Sequence, residues 1–117
     1  MYPRYLKDKT FQFPYRHKKK NFIPVVIAHE MLHFIFYGYI HKKFPKYKSY
    51  KYDFFIWHVS EIFNEIVQNS PKWFKVFKAK SMGYPEHKRI VNKLSKKYYK
   101  KDKWQLDEII NDIIKLV

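Results

Sequence analysis

Two histidines and a glutamate within five consecutive residues are the part of this chain best suited to chemistry. His29, Glu30 and His33 form the pattern H-E-x-x-H. Residues four apart on a helix share one face, so both imidazoles can reach the same metal ion while the glutamate stands beside them as a base. The pattern is typical of zinc peptidases. It predicts His29 and His33 as Zn²⁺ ligands and Glu30 as the general base that deprotonates the attacking water.

The sequence around the motif favours the helix that this geometry requires. Pro24 suits a first helical turn, and Asn21 precedes it as a cap. Between residues 23 and 40 the motif supplies the only strongly polar side chains, so we expect this helix to be buried on nearly all sides. A membrane span is the alternative, because the length is close to what a bilayer needs. The polar cluster near the middle, with no signal-peptide pattern, favours a soluble cytoplasmic protein instead.

A second apolar helix offers the third ligand that a two-histidine zinc site needs. His58, Glu61 and Glu65 follow one another at spacings of three and four, so they share one helix face. His58 can supply an imidazole, and Glu61 or Glu65 can orient it or replace it as the ligand. We prefer His58, which makes His29, His33 and His58 the predicted metal set. The other interpretation of His58 is a core histidine bonded to a carboxylate one turn away.

The composition indicates one compact domain, residues 1–117. Hydrophobic residues make up 46% of the chain and aromatic residues 21%, which is enough to fill a core. The chain has no cysteine. Disulfides and thiolate metal sites are therefore excluded, and any metal must be held by histidine and carboxylate side chains.

The net charge of +15 comes almost entirely from lysine. It suggests a protein that binds nucleic acid or another anionic surface. A solvated, lysine-rich surface typical of a thermophile explains it equally simply, and we favour that explanation because arginine, the residue of base and phosphate recognition, is rare. A basic nucleic-acid-binding helical protein with structural histidines remains the main alternative function. A non-catalytic zinc-binding protein is another.

Periodicity and turn residues predict a predominantly helical α+β fold with a small β element near the N-terminus. A strand is expected at residues 10–13, where apolar and polar residues alternate up to a proline. Residues 41–52 read as a loop or a weak strand pair. Proline, serine and aspartate residues at helix start and stop positions predict the helices. They cover residues 23–40, 53–69, 71–80, 85–100 and 102–117.

The order of these elements resembles the gluzincins, in which an H-E-x-x-H helix precedes a second helix bearing the third ligand. In most gluzincins that ligand is a glutamate followed by an acidic residue four positions on, as Glu61 and Glu65 are. The short, soluble minigluzincins, to which this chain is similar in length and lysine-rich composition, use histidine. The resemblance implies a minimal zincin domain that acts as a zinc metalloendopeptidase on peptide or protein substrates.

A third segment extends the resemblance to HtpX-like membrane metallopeptidases. The run Tyr84-Pro85-Glu86-His87-Lys88-Arg89-Ile90 is similar to their H-P-x-x-x-R-I segment. Tyr84 stands where those enzymes have a histidine that steadies the transition state. The resemblance therefore implies Tyr84 as a second catalytic residue, whose hydroxyl can donate a hydrogen bond to the oxyanion.

The last predicted helix, residues 102–117, combines a broad apolar face with several carboxylates. It can simply complete the core. It can also cover the cleft, with a carboxylate at the open position of the metal. The resemblance favours the second interpretation, because minigluzincins are held as zymogens by C-terminal segments. We therefore expect a latent form, and a homodimer if this helix reaches a second copy.

Overall fold

The computed structural model describes Arg4–Tyr5, Thr10–Phe11 and residues 22–117 apart from Ala79 and Met82. Within that part of the chain there are five α-helices and three short 3₁₀ helices. The α-helices are α1 (Phe22–Lys43), α2 (Asp53–Gln68), α3 (Pro71–Phe77), α4 (Lys88–Tyr98) and α5 (Leu106–Leu116). The 3₁₀ helices span Pro45–Lys48, Tyr50–Tyr52 and Pro85–His87.

The predicted α+β fold class is wrong, because the fold is helical. The strands found in the described residues are β1 (Arg4–Tyr5) and β2 (Thr10–Phe11), which pair antiparallel over two residues each. A pair this short presents no apolar face that could form a layer of the fold. The core is built from helices and the 3₁₀ turn after α1. The rest of the predicted strand, residues 12–13, and the predicted cap Asn21 lie outside the described residues.

The connector between α1 and α2 forms two 3₁₀ turns, and no strand pair is found there. α1 ends at Lys43, two residues before Pro45, because the residue before a proline is pushed out of the helical region. Tyr47 is buried, and its ring packs against the rings of Tyr52 and Phe55, 5.1 and 5.7 Å away between centroids. These aromatic contacts hold the connector against the start of α2.

α2 is the central helix of the molecule. It contacts α1, α3, α4 and α5. Its apolar residues recur at spacings of three and four and are buried in one core with residues from α1, α4 and α5. From α2 they are Ile56, Val59, Ile62, Phe63 and Ile66.

α1 is buried along one side only, although its sequence predicts burial on nearly all sides. Glu30, His33, Phe36 and Ile40 are buried, whereas Met31 and Ile35 are 52% and 58% exposed. By length and composition this helix could also cross a membrane. Only 22% of an apolar stretch of 18 residues within it is buried in the structure. Core helices of soluble proteins meet the same criterion, so length and hydropathy do not decide between the two environments.

Candidate metal centre

His29 and His33 stand one above the other on α1 and turn the same ring nitrogen toward each other. Their Nε2 atoms are 2.9 Å apart. Glu30, between them in sequence, is only 2% exposed, and one ligand atom from each of the three residues lies within 4.8 Å of the others. The H-E-x-x-H motif thus forms a compact group on the helix that was predicted to carry it.

Glu61 of α2 completes this group from the facing helix. Its Oε1 atom lies 3.1 Å from Nε2 of His33, and its Oε2 atom lies 3.6 Å from Nε2 of His29. The carboxylate is 6% exposed. Two imidazoles and a carboxylate therefore converge across the α1–α2 interface, and we call these residues (His29, His33 and Glu61) the first cluster.

The structure places His58, the third ligand preferred from the sequence, in a different group. Nδ1 of His58 lies 2.6 Å from Nε2 of His87, and Glu86 is close enough to share a metal ion with both. His58 and Glu61 differ by three positions on α2, which is about 60° around the helix and about 4.5 Å along it. That offset directs the two side chains to different neighbours. Glu61, the alternative ligand, is the residue brought to His29 and His33.

The other ring nitrogen of each motif histidine is held by a polar residue of α2. Nδ1 of His29 donates to Oε1 of Gln68 at 2.6 Å, and Nδ1 of His33 lies 2.6 Å from Oγ of Ser60. The amide nitrogen of Gln68 donates to the carbonyl oxygen of Val25, so its oxygen is the atom turned toward His29. With the proton of His29 on Nδ1, its Nε2 presents a lone pair to the cluster.

These supporting residues were missed from the sequence, although α2 carries a signal for them. Ser60, Asn64 and Gln68 recur every four residues along α2, and all three are at most 1% exposed. Asn64 also donates to the carbonyl oxygen of His29 at 3.4 Å. A polar stripe with helical period on a buried helix must find partners, so it indicates the face that meets the motif.

Glu65, the other acidic residue predicted near the site, lies against Gly83. Burial raises the pKa of Glu65, and the charge of Glu61 raises it further, while a hydrogen bond from the backbone of Gly83 acts in the opposite direction. A side chain at position 83 would overlap this carboxylate and force Glu65 to move, so glycine allows the close approach of the backbone. Glu65 therefore anchors the segment before the third 3₁₀ helix to α2.

Tyr84 lies beside the group formed by His58, Glu86 and His87, which we call the second cluster. Its ring centroid is 5.1 Å from that of Trp57 and 5.6 Å from that of His87. The side chain is 37% exposed. The structure thus brings Tyr84 next to the residues around His58, and the catalytic role that the resemblance implies for it stays a prediction.

His87 belongs to the quoted H-P-x-x-x-R-I-like segment but was given no role from the sequence. It is 4% exposed. Burial lowers the pKa of His87, and the neighbouring His58 lowers it further, whereas the negative charges of Glu86 and Glu61 raise it. Since His58 and Glu61 are three positions apart on α2, the two clusters are neighbours along that helix.

α5 packs into the core, and its Glu108 and Asp112 carboxylates face α4. Ile109, Ile110 and Ile113 are at most 1% exposed. Oδ2 of Asp112 accepts hydrogen bonds from Lys97 and from the hydroxyl of Tyr98. This geometry favours the interpretation in which the helix completes the core over the one in which it covers the metal centre.

The ligand atoms of the first cluster are close enough together to hold a metal ion. Two imidazole nitrogens on one Zn²⁺, each about 2.0–2.1 Å from it, lie about 3.3 Å apart. The observed separation of 2.9 Å needs only a small outward shift of the rings. A cation between these nitrogens and the buried carboxylate of Glu61 would be attracted to the negative charge. His29 is 23% exposed, so the group is reachable from solvent.

Comparison with known proteins adds no relative, because no protein-family model, curated protein or solved structure matches the chain. Function is therefore inferred from the motif and from the geometry around it.

Proposed function

We propose that this protein is a zinc metallopeptidase in which His29, His33 and Glu61 hold the metal and Glu30 is the general base. One observation carries the proposal. The Nε2 atoms of both motif histidines and the carboxylate of Glu61 converge within 3.6 Å, while each Nδ1 is held by its own partner on α2. Pre-oriented imidazoles with a carboxylate are the ligand set of catalytic zinc.

A bound Zn²⁺ would supply a Lewis acid that polarises the substrate carbonyl and makes water a nucleophile near neutral pH. Glu30 takes the proton from the attacking water and delivers it to the leaving amine. Its burial, at 2% exposure, keeps this carboxylate in a low-dielectric environment, where its charge acts more strongly than it would in bulk water.

Ser60 and Gln68 position the ligands. By engaging Nδ1, Gln68 leaves Nε2 of His29 unprotonated and limits rotation of the ring. Ser60 limits rotation of the His33 ring in the same way. Its hydroxyl can rotate to accept a hydrogen bond from Nδ1. The site is therefore built jointly by one face of α1 and the polar stripe of α2.

The decisive test separates the base from the ligands. Glu30→Gln should keep stoichiometric zinc and lower peptide hydrolysis by about 10²–10⁴-fold, because it removes proton transfer without removing a ligand. Glu61→Gln should lose the zinc held by His29 and His33, and the activity with it. His41→Ala changes another histidine of α1, the helix that carries Glu30. It is the matched control and should change neither zinc content nor hydrolysis. Zinc content is measured by mass spectrometry and turnover with a quenched fluorescent peptide library.

The outcomes distinguish the alternatives. Zinc binding with no hydrolysis of any peptide would leave a non-catalytic zinc protein. Absence of zinc, together with nucleic-acid binding that persists at physiological salt, would favour the nucleic-acid-binding function. If the zinc that supports hydrolysis survives Glu61→Gln but is lost in His58→Ala, the third ligand is His58 and not Glu61. Undiminished turnover in Glu30→Gln would contradict the mechanism.

A further inference from the structure

The second cluster brings two imidazoles and a carboxylate together without an assigned role. His58 comes from the first half of α2, and Glu86 and His87 come from the third 3₁₀ helix. One ligand atom from each lies within 4.8 Å of the other two. The residues are 25 or more positions apart in sequence across the two elements, so it is the fold that creates the group.

Hydrogen bonding within the second cluster leaves a polar atom unsatisfied. Nε2 of His87 pairs with Nδ1 of His58 at 2.6 Å, and Nδ1 of His87 is buried with no hydrogen-bond partner among the described residues. A neutral imidazole has one N–H and one lone pair, so this pairing alone leaves one buried nitrogen of His87 unsatisfied in either tautomer. Buried polar atoms without partners are rare. The hydrogen bond between the two histidines does not satisfy Nδ1 of His87.

The surroundings suit a cation. The rings of Phe54, Trp57 and Tyr84 pack around the two histidines, with centroids 4.4 Å from His58 for Phe54 and 5.0 Å for Trp57. Glu86 is exposed, and Glu61 also acts on His87 through its negative charge. The group therefore combines aromatic neighbours, two imidazoles and a carboxylate, as metal sites do.

We propose that His58, Glu86 and His87 form a second binding site for a borderline divalent transition-metal ion, separate from the site of His29, His33 and Glu61. Two imidazoles and one carboxylate select Zn²⁺, Co²⁺, Ni²⁺ or Cu²⁺ over Mg²⁺ and Ca²⁺. The ion ties the third 3₁₀ helix to α2. Because Tyr84 precedes this turn directly, the ion also fixes the position of Tyr84 beside Trp57.

The proposal does not depend on peptidase activity, since it concerns the number of ions that the chain binds. The full chain, stripped of metal, is titrated with ¹¹³Cd²⁺ and followed by cadmium nuclear magnetic resonance. Two resonances and two equivalents are expected for the unmodified protein. A single resonance with one equivalent at saturation would overturn the second site, whatever the activity of the protein.

Variants assign each resonance to its cluster. His87→Asn should remove one resonance, and the double variant His29→Ala/His33→Ala should remove the other. Glu86→Gln alters an exposed side chain and should weaken only the second equivalent, by roughly tenfold or more. His41→Ala should keep both. Loss of both resonances in His29→Ala/His33→Ala while the protein remains folded, or an unchanged second equivalent in Glu86→Gln and His87→Asn, would overturn the assignment.

The two proposals fail in different ways. If the second site is absent, the resonance from the first cluster and the effect of Glu30→Gln on hydrolysis remain. If the protein hydrolyses no peptide, the two cadmium resonances still report two sites. A thermal shift series gives a further readout. Co²⁺ beyond the first equivalent should raise the melting temperature of the unmodified chain but not that of His87→Asn, because binding to the folded state stabilises it.

Discussion

The two faces of α2 differ in chemistry, since one is polar and the other is apolar. One face turns Ser60, Glu61, Asn64 and Gln68 toward α1, and each of these polar residues is at most 6% exposed. The other face contributes apolar side chains to the core shared with α4 and α5. Burying a polar group costs about 1–3 kcal/mol unless it is hydrogen-bonded, whereas burying an aliphatic side chain fully gains about 1.5–3 kcal/mol.

This contrast implies a division between function and stability along a single helix. The polar face is tolerable because its groups bond to the motif histidines and to the backbone of α1. The apolar face supplies the burial that keeps α2 in place. Changes on one face should therefore alter metal affinity, and changes on the other should alter stability.

Removing α5 should have the largest effect. The side chains of three isoleucines in α5 are at most 1% exposed, namely Ile109, Ile110 and Ile113. Their burial contributes roughly 5–9 kcal/mol, which approaches the whole stability of a typical domain, about 5–15 kcal/mol. A chain ending at Lys100 should lose its cooperative thermal transition in a circular dichroism melt. A truncated chain that stays folded and gains activity would instead support the latency interpretation of residues 102–117.

A single core substitution should destabilise the protein without touching the metal site. Ile113→Ala should lower the free energy of unfolding by about 2–5 kcal/mol, as expected for a buried isoleucine. Ile114→Ala, on a half-buried neighbour, is the matched control and should cost less. Urea denaturation measures both. Loss of zinc affinity in folded Ile113→Ala would break the proposed separation of the two faces.

The polar face should show the reverse behaviour. Ser60→Ala and Gln68→Leu each free one imidazole, and should weaken metal affinity by about 10–100-fold. Ser70→Ala removes another buried hydroxyl, which caps α3, and should lower stability by about 1 kcal/mol without changing metal affinity. Competition with a chromophoric chelator gives the affinities. Equal affinities for Ser60→Ala and Ser70→Ala would contradict the role given to Ser60.

Much of this arrangement could be predicted from the sequence because it depends on helical periodicity. The H-E-x-x-H helix, α2 and the cap at Ser70 followed by Pro71 are local features, and the structure contains all three. The strand at residues 10–13 rested on four alternating residues, too few to define a sheet. In the described part of the chain only Thr10–Phe11 pairs, with Arg4–Tyr5.

The pairing of side chains between helices could not be predicted in the same way. His58 and Glu61 share a helix face, so periodicity alone allowed either to meet His29 and His33. The rotation of α2 against α1 decides between them, and packing of the whole core sets that rotation. His87 lies in a 3₁₀ helix of three residues that begins at Pro85. So short an element has no sequence periodicity from which the partner of His87 could be predicted. The stripe of Ser60, Asn64 and Gln68 was available as a signal for the orientation.

The smallest expected effect is a pH dependence at the α4–α5 contact. Burial alone would raise the pKa of Asp112, but hydrogen bonds from Lys97 and Tyr98 outweigh it and lower that pKa. A carboxyl group whose pKa is lower in the folded state stabilises the fold above its unfolded pKa, about 3.9, and loses this contribution as the pH falls through the folded value. Asp112→Asn should therefore cost at most about 1 kcal/mol at pH 7, and nothing once the pH is below the folded pKa.

Chemical denaturation at several pH values between about 7 and 2 tests this dependence. Asp107→Asn, an exposed carboxylate on the same helix, is the control and should give a difference that does not change over the range. A difference for Asp112→Asn that persists unchanged at the lowest pH would mean that its hydrogen bonds contribute through shape rather than charge. In neither case should zinc affinity change at pH 7, because this contact lies on the side of α2 that stabilises the fold.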